Sequence, residues 1–182
     1  MSSLKSLMEG YTPGDVPRVT RSGSSYQQTY DYVYKRLIEL ITSYKEHGVY
    51  DQTARLMRDD FESMLRRYHE YCIEQNQGAH YVEVGLAPKT KTEFEHVIPV
   101  RVVRDAVLSD RMTIDQALNM PSCKLSKIKH KELATLGLAK GSECPYNFWR
   151  RYKTLGIKIA TRSGDTVDLD TWNLDTHYEY FD

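Results

Sequence analysis

Phe94-Glu95-His96-Val97-Ile98-Pro99 sets a carboxylate beside an imidazole just ahead of a proline, and Asn119 and His130 follow downstream. An acid next to a histidine, then an asparagine, then a second histidine is the residue set of a one-metal phosphodiesterase site. Cleaving a phosphodiester needs a nucleophile, charge neutralisation at phosphorus and help for the leaving oxygen. One divalent ion can serve the last two needs as Lewis acid and template. A neutral imidazole accepts a proton from water near neutral pH, because its unperturbed pKa is about 6.5. His96 is the expected general base, with Glu95 and His130 as the metal ligands. One oxygen and one imidazole, completed by water and phosphate, suit Mg²⁺ or Mn²⁺ and tolerate Ni²⁺ or Zn²⁺. The ordinary readings stand beside this one: a Glu-His pair in a strand is often a surface pair, and Lys127-Ile128-Lys129-His130-Lys131-Glu132 is also a solvated helix face. His69 and His80 are rival ligands, His80 the better one because it begins the strand beside the site.

The elements that must position these residues are legible from periodicity. Residues 1–25 are rich in Ser, Gly, Pro and Thr and read as a flexible arm. Residues 26–77 read as a helical hairpin. Tyr30, Val33, Tyr34, Leu37, Ile41 and Tyr44 recur at helical spacing up to a stop at Gly48. Asp51 then caps a second helix to about Gln75, with Leu56, Met57, Phe61, Met64, Leu65 and Tyr68 as its stripe. These tyrosines either stack bases or fill a core, and helical spacing favours the core.

Residues 78–137 follow as two strands and a helix. Val82, Val84 and Leu86 alternate on one face, with Tyr81, Glu83 and Gly85 on the other, and a second strand, about Glu93 to Val97, carries the Glu-His pair. Regular alternation sends Glu95 and His96 to opposite faces, so one site can use both only if the strand ends or kinks there; Pro99 offers such an ending. Pro99 also opens a helix with Val100, Val103, Ala106 and Val107 inward. Thr113 and Gln116 form a capping box for a short helix through Leu118. Cys123 to Ile128 reads as a strand that leads into a helix with His130 on an early turn, Leu133 and Leu136 inward, and Gly137 as the stop. Residues 138–182 supply a basic aromatic helix around Phe148–Lys153, a β-hairpin turning at Ser163-Gly164-Asp165, and an acidic aromatic tail.

The acid-His-hydrophobic-hydrophobic-Pro string, with Asn119 and a helical His130 behind it, resembles the HNH, or ββα-metal (His-Me finger), endonuclease superfamily. The resemblance covers residues 90–135. It implies an α+β protein, with the N-terminal helical hairpin and the C-terminal β-hairpin flanking a ββα-metal-like core at 78–137. It implies a metal-dependent endonuclease acting on DNA with one divalent ion, in which Asn119 orients His96. The Glu95 carboxylate and a His130 ring nitrogen should then approach one point, each about 2.0–2.2 Å from the ion, and His96 should face the same cavity.

Composition bounds the partners. Lys plus Arg total 25 and Asp plus Glu total 25, so binding of nucleic acid by bulk charge is disfavoured. The charge is nonetheless segregated. Lys124, Lys127, Lys129, Arg150, Arg151 and Lys153 lie in a basic stretch and are the expected phosphate contacts, whereas 165–182 holds no Lys or Arg. That acidic tail is a candidate cover for the basic surface. Three cysteines, with no Cys-x-x-Cys pair, give neither a disulfide framework nor a four-cysteine zinc site. No membrane span and no secretory leader are legible, so a cytoplasmic protein is expected. One site attacks one strand, and a homodimer would cut both. The rival classes are a catalytically inactive nucleic-acid-binding protein of the same fold, and a phage or mobile-element accessory protein acting on a protein partner through its helical hairpin.

Overall fold

The computed structural model describes residues 26–47, 52–136 and 146–181. The N-terminal arm, Gly48, the Asp51 cap and the Gly137 stop lie outside them. Helices α1 (Tyr26–His47) and α2 (Gln52–Tyr68) carry the expected apolar stripes. Val33 and Leu37 of α1 and Phe61, Leu65 and Tyr68 of α2 are buried in one cluster. Leu56 is exposed and Ala54 is buried in its place. α2 runs on into a π-helical segment, His69–Gln77, which buries His69, Cys72 and Ile73 and ends at Gly78, where φ is +76°. Gly tolerates that left-handed value without a Cβ clash.

Four strands form one mixed sheet in the order β2-β3-β1-β4, and the protein is α+β. They are β1 (Tyr81–Glu83), β2 (Thr92–His96), β3 (Ser122–Ser126) and β4 (Ile159–Thr161). β1 and β3 are parallel, and the other two pairings are antiparallel. The inward face of β1 is the one that carries Tyr81, not the apolar Val82 and Val84. Tyr81 is fully buried and Val84 is about half exposed, because the register sets Tyr81 beside Cys123 and Thr161, both buried.

Residues 97–121, between β2 and β3, fold into α3 (Val100–Leu108) and α4 (Ile114–Leu118). Pro99 is the residue before α3, and Val100, Val103 and Val107 are buried. The capping box forms as read: the Gln116 N–H donates to Thr113 Oγ1 at 3.1 Å, and the Thr113 N–H donates to Gln116 Oε1 at 3.0 Å. Arg104 of α3, nearly buried, meets Glu62 of α2 at 2.9 Å and ties the hairpin to this connection.

β3 passes directly into α5 (Lys127–Thr135), where Ser126 caps the helix by accepting from the Lys129 N–H at 3.3 Å. Leu133 is buried as expected; Leu136 caps the helix and is exposed. α6 (Arg150–Thr154) buries Arg151 and Tyr152 beside Trp149. The C-terminal hairpin is minimal: β4 and a single bridge, Ala160 to Thr166. The tail is not a loose cover. It forms α7 (Leu174–Phe181), whose His177 is fully buried. The Trp172 Nε1–H donates to the Tyr81 hydroxyl at 2.8 Å, and that hydroxyl donates to His177 Nδ1 at 2.7 Å. The buried cluster draws on the hairpin, the sheet, the connection and the C-terminal segment alike.

Candidate functional site

Strand β3 and helix α5 meet without an intervening loop, and this places His130 one turn above the sheet. β2 lies beside β3 with Glu95 opposite Cys123, so Glu95 points to the face that α5 covers. The two side chains meet: His130 Nε2 is 2.9 Å from Glu95 Oε2. Glu95 is largely enclosed and His130 is 41% exposed. Lys127 and Glu93 repeat the pairing nearer the surface, at 2.8 Å.

Arg151 completes the cluster from α6. Its Nη2 donates to Glu95 Oε1 and to the carbonyls of His96 and Val97 at 2.7 and 2.9 Å. The residue is 2% exposed. The expected phosphate contact at Arg151 is therefore corrected: its guanidinium is buried and holds the end of β2 and the Glu95 carboxylate. Of the other basic residues, Lys124, Lys127, Arg150 and Lys153 are exposed and Lys129 is partly so. Lys129 also pairs with Glu132 at 2.8 Å, and Lys153 pairs with Asp170.

The structure does not bring His96 to this point. β2 stays regular through His96, which pairs with Ser122, so consecutive residues face opposite sides. The His96 ring packs against His69 and Phe94, with centroids 5.1 and 5.3 Å apart. Burial, then the charges of His69, Arg66 and Arg151, push its pKa down to about 2. Its Nε2 is buried without a hydrogen-bond partner. Such a ring is neutral, but strand alternation turns it away from Glu95, and although the residue is partly exposed its Nε2 is shut off from water.

Asn119 is also placed elsewhere than expected. Its side-chain oxygen accepts from His80 Nε2 at 2.9 Å, and its backbone carbonyl accepts from His177 Nε2 at 2.8 Å. His80 Nδ1 faces the Ser122 hydroxyl at 2.8 Å. Both nitrogens of His80 are thus engaged, which removes it as a rival ligand. His69, the other rival, places Nε2 at 3.2 Å from the carbonyls of Ala117 and Leu118. Burial is the main cause that lowers the pKa of His69 and His80 to about 4 and of His177 to about 3.

The donor set fits a weak, open cation site. A separation of 2.9 Å between Glu95 Oε2 and His130 Nε2 is close to that of adjacent donors on an octahedral ion with bonds of about 2.1 Å. Among the described residues no group of three or more His, Cys, Asp or Glu could hold an ion. A single carboxylate completed by water and phosphate is within the usual pattern for Mg²⁺, whereas the imidazole suits Ni²⁺ or Zn²⁺ better. The Arg151 cation fixes the aim of the carboxylate and also weakens its hold on any second cation. Comparison with protein-family models, with curated proteins and with solved structures returned no match to this chain.

Proposed function

We propose that the protein is a metal-dependent endonuclease of HNH-like design that hydrolyses phosphodiester bonds in DNA. The observation that carries this reading is the meeting of Glu95 and His130 across a strand-strand-helix unit, at a separation suited to one ion. Glu95 and His130 would hold the ion, and Arg151 sets the direction of Glu95. When bound, the ion would neutralise charge at the phosphate and assist the leaving oxygen. Lys124, Lys127 and Lys129, at the end of β3 and the start of α5, would hold the substrate backbone. His96 serves as the proton acceptor only if the end of β2 turns its ring out of the core. Among the described residues no helix is long and apolar enough to cross a membrane.

A second reading is favoured by the burial of His96 and by the engagement of both Glu95 oxygens: a nucleic-acid-binding protein that keeps the frame without the chemistry. One experiment separates them. Supercoiled plasmid is incubated with the protein in chelator, then in Mg²⁺, Mn²⁺, Ni²⁺ or Zn²⁺, beside Glu95→Gln and His130→Ala. The endonuclease reading expects nicking that needs metal and vanishes in both variants, with linear product following if the protein dimerises. Salt-sensitive binding with no cleavage under any metal would establish the second reading.

A further inference from the structure

A cavity of about 360 Å³ opens between α1, α4 and α7, and neither Glu95 nor His130 lines it. We propose that this cavity binds a nucleobase, taken either as a free nucleoside or as an unpaired base of a nucleic acid. The inference does not rest on the metal site.

The walls are aromatic and the floor carries a polar edge. Tyr30, Tyr178 and Phe181 line the cavity together with Asp115 and Asn119. The Tyr178 hydroxyl donates to the Gln116 carbonyl at 3.0 Å, which ties that ring in place. Phe181 is held edge-on against His80, with centroids 4.8 Å apart. Aromatic side chains that line a cavity accept a flat ring by stacking, whatever its substituents; one side of Tyr30 is already stacked on Tyr34, and Arg162 lies over Phe181.

The polar edge is oriented in advance. Neutral His80 accepts a hydrogen bond from the Ser122 hydroxyl at Nδ1 and donates one from Nε2 to the side-chain oxygen of Asn119, at 2.8 and 2.9 Å. Asn119 is thereby left with its –NH₂ as a pure donor, and that nitrogen has no partner among the described residues. Asp115 lies four residues earlier, and its carbonyl accepts the Asn119 N–H at 2.9 Å. Residues at this spacing share a helix face, about 5–6 Å apart at Cβ. The Asp115 carboxylate is an acceptor with no donor of its own. It takes the Tyr30 hydroxyl on Oδ1, which leaves Oδ2 for a ligand. A donor beside an acceptor, between aromatic faces, matches the acceptor-beside-N–H edge that a nucleobase presents. The volume suits one base with its sugar and lies at the small end for ligand sites.

The test is titration of the full chain, by calorimetry and by NMR shifts of the aromatic side chains. The probes are guanosine and uridine, each beside its counterpart methylated at the ring N–H, and an oligothymidylate of eight residues beside its abasic analogue. The proposal expects saturable binding of guanosine or uridine at or below about 1 mM, and at least tenfold weaker binding of the methylated form. Asp115→Ala, at an exposed position, should weaken binding about tenfold, and so should Asp115→Asn, which can still accept the Tyr30 hydroxyl but offers the ligand an amide in place of a carboxylate; circular dichroism checks that both fold. Asn119→Ala should do the same where it folds. Loss of oligothymidylate binding in Asp115→Ala would identify a base within a strand as the ligand; nucleoside binding alone would identify the free compound. The proposal fails if neither nucleoside binds at about 5 mM, if methylation changes nothing, or if Asp115→Ala binds as the parent does.

Discussion

Stability of this protein should fall steeply with mild acid, and the least size of the fall follows from the three imidazoles that are almost fully buried, to which the partly exposed His96, also held neutral in the fold, adds. His69, His80 and His177 are each at most 1% exposed, and their pKa values in the fold are lowered to about 4, about 4 and about 3. In the unfolded chain each titrates near 6.5. Above that pH both states are neutral and the contribution to stability is fully present. Between pH 6.5 and 4 the unfolded chain takes up protons that the fold refuses, so stability is lost as pH falls. Each histidine costs about 0.8 kcal/mol at pH 6 and about 1.4 kcal/mol at pH 5.5, which gives about 2.5 and about 4 kcal/mol for the three. A domain of ordinary stability, about 5–15 kcal/mol, should therefore approach its acid transition close to pH 5. Urea unfolding followed by circular dichroism at pH 7.5, 6.5, 6.0 and 5.5 measures this at unchanged m, above the range in which unfolded carboxylates titrate. The three imidazole resonances should also stay fixed in NMR spectra over that range. A difference under about 1 kcal/mol between pH 7.5 and 5.5 would refute the placement of these rings in the core.

Arg151→Met should lower stability by about 3–5 kcal/mol, because it strands Glu95 and two carbonyls in an enclosed site; adding Glu95→Gln should recover part of the loss, and a chemical-denaturation double-mutant cycle reads the coupling. His96→Ala should remove the packing of a partly buried ring on His69 and Phe94, costing about 1–2 kcal/mol by urea titration, whereas a loss near zero would place the ring at a solvent-facing site edge. Removing residues 170–182 should abolish cooperative thermal unfolding, since it takes away the partners of the Tyr81 hydroxyl; a truncated chain that melts as the parent does would show that α7 is dispensable.

What the sequence reveals here is what is encoded within a few neighbouring residues. The Thr113–Gln116 capping box needs four residues and forms as read. The α1 stripe repeats often enough over its length to fix a face, and Val33 and Leu37 are indeed inside. Glu95 and His130 meet because β3 and α5 are continuous, so strand alternation and a single helical turn suffice to bring them together. The inward face of β1 is a different matter. A three-residue strand carries too few alternations to choose between Tyr81 and Val82, and the groups that settle it, Trp172 and His177, join the chain far downstream. Charge misleads at Arg151, since composition shows a basic residue but not the carbonyls that enclose it. Pro99 misleads at His96: the proline lies past the strand end, and Val97 still donates to the Pro121 carbonyl at 3.0 Å, so the ladder outlasts the histidine. The acidity of the tail masks an inward helix face whose anchor is one buried histidine.

The long connection between β2 and β3 bears on how fast the molecule folds. These strands are antiparallel neighbours, yet residues 97–121 separate them where a short turn would serve. Closing a loop of that length costs on the order of 1.5 kcal/mol more entropy than closing one of about four residues. The pairing of Glu95 with Cys123 therefore waits until α3 and α4 have collapsed onto the hairpin and shortened the effective span. The parallel pairing of β1 with β3 waits in turn, because β3 lies between the other two strands in the sheet. Refolding should be slow for a chain this size, with helix formation well ahead of the burial of Trp149. Until β3 is paired on both sides it presents open edges to other chains, and β2 keeps one as an edge strand of the finished sheet.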